Sequence, residues 1–371
     1  MSPEKQVSRW PWGLIGMAVM VVAIEGYVAR RHLAFTNTAT LSWNLSDAAA
    51  RRDATDADVL CFGDSLVKHG MIPEVLEAKL NQRVYNLSIC AASAPASYFL
   101  LKHAIDAGAR PKSIIVDFMP DLLTGSPRHS SRNWPEILNY RELIELARAG
   151  RDFGFFVTMA RDRLLNSYRS RWEIRSNLTA AIQGKEDPLP ATNLVYRRNW
   201  GLHRGAEYTP DNPAYQGQVT EDDHFKLMSD HFWCNRVNRD YIHKFVKLAE
   251  SRGAKIYWLL PPVSPGIHKR RVESGADEKY SQFIREIAAS HPTITVLDAR
   301  RSGYDHTKFV DPVHLNGRGG VALSTEVAEA MLGGRTTWVW LPRYRDRQSP
   351  VPLEDVEQSR LAVGAGTSTY R

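Results

Sequence analysis

The chain has 371 residues, 43% of them hydrophobic and 24% charged, the balance of an ordinary globular protein with core enough for one large domain or two modest ones. A formal net charge of +7 suits an anionic glycan, a membrane surface or nucleic acid, but no nucleic-acid motif accompanies it, so DNA and RNA are set aside as partners. Three cysteines, Cys61, Cys90 and Cys234, are too few and too scattered for a disulfide framework or a zinc site.

Residues 1–9 are a short N-terminal segment. Residues 10–29 then carry a single charge, Glu25, before Arg30 and Arg31. That run is close to the ~20 residues needed to cross a bilayer, and Trp10, Trp12 and Tyr27 stand where interfacial aromatics stand. It reads as a retained single-pass anchor; a buried helix and a cleaved signal peptide are the alternatives. Lys5 and Arg9 on one side nearly match Arg30 and Arg31 on the other, so charge alone leaves the orientation open. Residues 30–55 are polar and rich in Thr, Asn, Ser and Ala, and read as a linker lifting a domain off the membrane.

The domain is expected over residues 56–333. Residues 59–62 read as a buried strand that runs through Gly63-Asp64 and delivers Ser65 at its carboxyl end, where open α/β sheets place their ligands. Ser65 is the candidate nucleophile, and it needs a base and a group to orient that base. A helix over 72–80, a strand over 83–89, a helix ending near 108 and a strand over 113–118 follow. This alternation predicts a parallel sheet covered on both faces.

Residues 122–234 interrupt the pattern. Helical stretches are expected near 134–149 and 153–182, with a polar, loop-like region to about 220. Many arginines, among them Arg161, Arg163, Arg169, Arg171 and Arg175, lie here with Trp134 and Trp172. A solvated helical cap is the simpler reading; a lid over Ser65 that grips an acidic or sugar-bearing polymer is the functional one. His224 and His231, among Asp222, Asp223 and Asp230, show no metal-ligand spacing and read as surface charge.

The regular pattern resumes with an amphipathic helix over 235–252 and a strand over 255–260 that ends in Pro261-Pro262-Val263-Ser264. A helix over 277–290 and a strand over 294–298 lead to Asp311-Pro312-Val313-His314. That spacing lets one carboxylate fix an imidazole from the same loop, and a helix over 317–332 closes the domain. Residues 334–371 read as a tail, packed near Trp338 and Trp340 and largely disordered from about 346.

Gly63-Asp64-Ser65-Leu66 together with Asp311-x-x-His314 resembles the SGNH/GDSL hydrolase superfamily over roughly residues 56–121 and 235–333. The resemblance implies a flavodoxin-like three-layer α/β/α fold and a triad of Ser65, His314 and Asp311. It also implies an oxyanion hole that joins the serine amide to a glycine amide and an asparagine side chain. Ala91 stands where the glycine is expected; a backbone N–H donates equally well from alanine, and the exchange costs little if its φ is negative. The stretch Asp117-Phe118-Met119-Pro120-Asp121 offers no asparagine, so the expected donors are the amides of Ser65 and Ala91. The Pro-Pro-Val-Ser loop is similar to that of membrane-associated members linked to acylation of cell-surface polymers, and anchored members imply a cytoplasmic N-terminus with an extracytoplasmic, periplasmic domain.

Three functions follow as expectations. The first is a serine-dependent ester hydrolase acting on acyl esters of a cell-envelope glycan or lipid. The second is an O-acyltransferase modifying an exported polysaccharide with a membrane partner that delivers the acyl group. The third is a glycan-binding protein that keeps the fold without turnover. None of them calls for a metal or an organic cofactor.

Overall fold

The computed structural model describes residues 12–220, 232–334 and 337–354. Trp10, the segment 1–9, His224, His231 and the last part of the expected tail, residues 355–371, lie outside the described residues.

Six strands form one parallel sheet in the order β2-β1-β3-β4-β5-β6: β1 (Val59–Phe62), β2 (Val84–Asn86), β3 (Ser113–Val116), β4 (Lys255–Leu260), β5 (Ile294–Asp298) and β6 (Trp338–Trp340). The chain goes from β1 to β2 on one side, returns to β3 on the other and thereafter moves in one direction only. A crevice therefore opens at the carboxyl ends of β1 and β3, where the order reverses. The β1 sequence Val-Leu-Cys-Phe is buried throughout, as a parallel strand covered on both faces must be. Its side chains alternate between two cores. Leu60 and Phe62 join Ile114, Val116 and Trp258 in one; Val59 and Cys61 join Ile115, Tyr257 and Leu259 in the other. All three cysteines are free.

Helices cover both faces. On the first lie α3 (Thr38–Ala50), α6 (Ala94–Asp106), α14 (Arg236–Glu250) and α16 (Ala276–Ser290); on the second lie α4 (Ser65–Gly70), α5 (Pro73–Leu80) and α17 (Gly317–Leu332). Between them in sequence come α7 (Pro120–Thr124), α8 (Trp134–Ile137), α9 (Tyr140–Gly150), α10 (Phe153–Leu164), α11 (Asn166–Arg169), α12 (Arg171–Ile182), α13 (Leu189–Leu202) and, after β4, α15 (Pro265–Glu273). At the N-terminal end α1 (Trp12–Arg30) is long and apolar enough to cross a membrane, and the short α2 (His32–Phe35) follows it.

Three expectations are corrected. The segment read as a linker holds α3, begun by Asn37, whose side chain accepts the Thr40 N–H at 2.8 Å. Its Leu41, Trp43, Ala49 and Ala50 are buried in the core, so these small residues form a packed helix and not a tether. In the insertion, the stretch 153–182 breaks into α10, α11 and α12, and the region read as loop contains α13. Beyond residue 333 the chain packs near Trp338 and Trp340 as expected, and it does so as a strand, β6, that pairs in parallel with β5, with Leu341 buried. The second strand is also shorter than 83–89, although Leu87 N–H and Ile89 N–H still donate to Cys61 O and Gly63 O at 2.8 and 3.0 Å.

Trp43 is the centre of α3's contact. It is fully buried, meets Trp134 edge-to-face with centroids 4.9 Å apart and donates from Nε1 to Cys90 O at 3.0 Å. Trp43→Ala is expected to cost about 3–5 kcal/mol in urea unfolding, and a protein starting at Asp56 should unfold at lower urea than one starting at Arg31. Equal midpoints for the two truncations would show that α3 is peripheral.

Candidate active site

The sheet order puts the end of β1 in the crevice, and the residues after it form a tight turn. Gly63 has φ +133, and a Cβ there would lie 2.8 Å from Asp117 O on the adjoining strand exit. Only glycine fits so close to β3 in this left-handed region. Asp64 follows, buried, and accepts the Leu66 N–H at 2.8 Å, which starts α4. Ser65 is the first residue of that helix and is half-buried.

The second half of the site is the loop between β5 and α17. Asp311 Oδ1 accepts the N–H groups of Val313 and His314 at 2.9 and 2.8 Å, folding the loop back on itself as an aspartate-headed turn. The backbone closes it further, with Val310 N–H donating to His314 O at 2.9 Å. The other oxygen, Oδ2, lies 2.6 Å from His314 Nδ1, and His314 Nε2 lies 2.7 Å from Ser65 Oγ. A carboxylate only accepts, so the ring proton sits on Nδ1, and Nε2 is left to accept from the serine hydroxyl. The structure thus brings together all three residues expected from sequence.

Their electrostatics are matched. Burial alone would push the His314 pKa down, but the hydrogen bond and charge of Asp311, with Asp64 and Glu207 farther off, outweigh it and leave the imidazole above its ordinary value. Burial pushes Asp311 up, yet the His314 contact dominates and holds it near about 2. His69, whose ring centroid is 4.8 Å from that of His314, is held well below the ordinary value by burial and then by the His314 charge. His69 thus packs against His314, and its Nδ1 faces Thr209 Oγ1 at 3.2 Å rather than Ser65. Behind the turn, Asp64 is raised to about 6 by burial. Asp117 is raised well above the usual carboxylate range by burial and by the Asp64 charge.

Ser65 N–H and Ala91 N–H, the two expected oxyanion donors, take no internal acceptor among the described residues. Ala91 differs from expectation in one respect: its φ is +54, not negative, so it holds a left-handed conformation at a position where the related pattern has glycine. That geometry costs an alanine about 1–2 kcal/mol. It is sustained by α3, because Ser46 Oγ donates to Ser88 O at 3.3 Å and Trp43 donates to Cys90 O. The stretch 117–121 supplies no asparagine; Met119 instead joins Leu66, Val263, Ile267 and Val313 in an apolar cluster. The Pro-Pro-Val-Ser loop reaches the site here, with Ser264 N–H donating to Pro312 O at 3.0 Å.

Sequence reasoning missed the segment 203–218, which straps the two halves together. Asn86 N–H donates to Arg204 O at 3.0 Å, Glu207 N–H to Lys68 O at 3.0 Å and Gly317 N–H to Thr209 O at 2.7 Å. The buried Lys68 Nζ donates to Gly205 O at 2.8 Å, Thr209 Oγ1 lies 3.2 Å from His69 Nδ1, and Asn212 Nδ2 donates to Val310 O at 2.8 Å. The arginine-rich helices, read first as a solvated cap and alternatively as a lid, pack away from Ser65. Their packing runs to α1, α2, α8 and α9, and Arg163 and Arg169 hold Pro135 O, Leu138 O and Glu136 within the insertion. Only residue spacing was available to reveal the strap, and a polar loop has none.

Gly205 is the strap's closest approach. With φ +93, a Cβ there would fall 1.8 Å from Asn86 O, so Gly205→Ala is expected to displace the strap and lower any Ser65-dependent turnover several-fold while the Trp43 core stays folded. Unchanged turnover with unchanged unfolding would show that the strap does not hold the site.

A search of the curated proteins finds no match to this chain. One family model does match, and it extends from the end of α1 through strands β1 to β5, the insertion, the strap and the His314 loop into the first turn of α17. The chain belongs to that family, described as "Protein of unknown function (DUF1574)", over residues 28–319.

Proposed function

We propose that this protein is a serine-dependent ester hydrolase of the SGNH/GDSL type, acting on acyl esters of a cell-envelope glycan or lipid. The observation that carries the reading is the relay from Ser65 Oγ through His314 to Asp311, with bonds of 2.7 and 2.6 Å, at the switch point of a parallel sheet. In the first step His314 Nε2 takes the Ser65 proton while Oγ bonds to the ester carbonyl carbon. Asp311 keeps the imidazole oriented and stabilises its charged form. The amides of Ser65 and Ala91 receive the developing oxyanion. Collapse breaks the ester C–O bond, the leaving alkoxide takes the proton from His314, and an acyl-serine remains. Water then gives its proton to His314 and attacks the acyl carbon, and the departing Ser65 oxygen recovers the proton. Leu66 and Val313, the chain neighbours of Ser65 and His314, belong to a buried apolar cluster with Met119 and Val263.

A second reading, O-acyl transfer to an exported polysaccharide, draws on α1, which would keep the domain beside a membrane partner that supplies the acyl group. Its chemistry differs only in the second acceptor, a sugar hydroxyl in place of water. In both readings the N-terminus is cytoplasmic and the domain faces the periplasm. A glycan-binding protein without turnover remains the third reading, favoured by the missing asparagine donor.

Intact mass of the protein starting at Arg31, incubated with p-nitrophenyl acetate, separates these. A transient acetyl adduct that is absent from Ser65→Ala supports the hydrolase. An adduct that persists until a saccharide is added supports the transferase, and no adduct on either protein supports the binding reading. Where turnover is seen, its rate should rise with pH through a midpoint above 6.5, the ordinary histidine value, because the base must be neutral and its pKa is raised. Asp311→Asn should slow it by about 10⁴-fold. A midpoint below the ordinary value would remove His314 from the base role.

A further inference from the structure

The arginine-rich helices that do not cover the site carry their own unexplained surface. Helix α12 buries only Glu173, and it exposes Trp172, Leu178 and Ile182, the last 87% exposed. On α10, Phe153 and Leu164 are 77% and 67% exposed. Large apolar side chains exposed on the two helices that flank the short α11 mark a surface that something covers. Residues 151–185 also hold seven basic and three acidic side chains, which accounts for four of the chain's seven net positive charges. Two of the acids, Asp162 and Glu173, are buried against Arg161 and Arg132, while Arg171 and Arg175 remain exposed. Arg171 lies over the rings of Tyr168 and Trp172, a mixture of cations and aromatics suited to a lipid headgroup layer.

The position of α1 says what the cover is. Its 19 residues are about 28 Å long, against a hydrocarbon core of about 30 Å, so none of the helix is to spare if it spans. Yet Glu25, well before its end, accepts the Ser167 N–H at 3.0 Å and is also bonded by the Ser167 hydroxyl. Helix α11 is thereby fixed against α1 at the depth of its last turns, and α12 packs on α2, the first turn beyond it. A domain held in that way has α10–α12 at the bilayer surface.

We propose that α10–α12 form a membrane-lying platform, with Trp172, Leu178, Ile182, Phe153 and Leu164 in the interfacial layer and Arg171 and Arg175 on anionic headgroups. The platform fixes the height and tilt of the whole sheet above the bilayer.

The test uses the full-length protein reconstituted in vesicles of phosphatidylcholine and phosphatidylglycerol. An environment-sensitive fluorophore is placed at Ile182→Cys, at Leu164→Cys and, as a marker of the span, at Val19→Cys, with the labelling of the unsubstituted protein subtracted. The expected result is quenching of all three by brominated lipid chains and protection of all three from aqueous iodide. Arg171→Gln with Arg175→Gln should weaken the quenching at Ile182 on vesicles containing phosphatidylglycerol but not on phosphatidylcholine alone. A label at Val19 that is quenched while those at Ile182 and Leu164 stay open to iodide would overturn the platform and leave α1 as a plain anchor. Labels open to iodide at all three positions would overturn both.

Discussion

The site depends on the two oxygens of one carboxylate doing different work. Asp311 Oδ1 gathers two backbone N–H groups and so decides the shape of the loop, while Oδ2 decides the tautomer and aim of His314. The imidazole is part-buried, and burial by itself would discharge it; the same carboxylate reverses that tendency. Loop geometry and proton affinity therefore cannot vary separately at this position. The 2.7 Å contact with Ser65 follows only because β1 and β5 are held in one sheet with β3 and β4 between them.

A sheet fixes strand ends but leaves the loops above it to other restraints. Here those restraints come from segments far away in sequence. The strap 203–218 returns from the insertion to hydrogen-bond α4, the β2 exit and the His314 loop, and it contacts the buried Lys68 and, beside it, His69 of α4. Lys68 sits fully buried with its ammonium on a backbone carbonyl, an arrangement that tolerates no loosening, since an unpaired charge there would be costly. The insertion thus contributes rigidity at its C-terminal end and, on our proposal, membrane contact at its helical middle.

How much of this was legible depended on whether the deciding contact was local. Ser65, Asp311 and His314 could be read because a buried strand, a tight turn and a three-residue spacing are all short-range patterns. The parallel sheet was legible for the same reason. Helix α3 was not, because Ser42, Ser46 and the alanines around Trp43 look like linker residues until the 88–91 loop that they brace is in place. The strap shows no periodicity at all, and Gly205 gains its meaning only from Asn86, 119 positions earlier in the numbering. β6 is three residues long, shorter than any pattern can register. The positive φ of Ala91 is also invisible in a sequence, where alanine argues against it.

The correction at α3 changes how the two ends of the molecule communicate. With a flexible linker, α1 would set only the distance of the domain from a membrane. Instead the chain passes from α1 into α2 and then α3 with Asn193 Nδ2 donating to Leu33 O and Thr36 O at 2.8 and 2.6 Å along the way. From α3, Trp43 and Ser46 hold the loop that carries the Ala91 amide. A path of packed helices therefore joins the last turn of α1 to one proposed oxyanion donor. Detaching α1 at Arg31 should leave that donor in place, whereas removing α3 should release it, because only α3 touches the 88–91 loop.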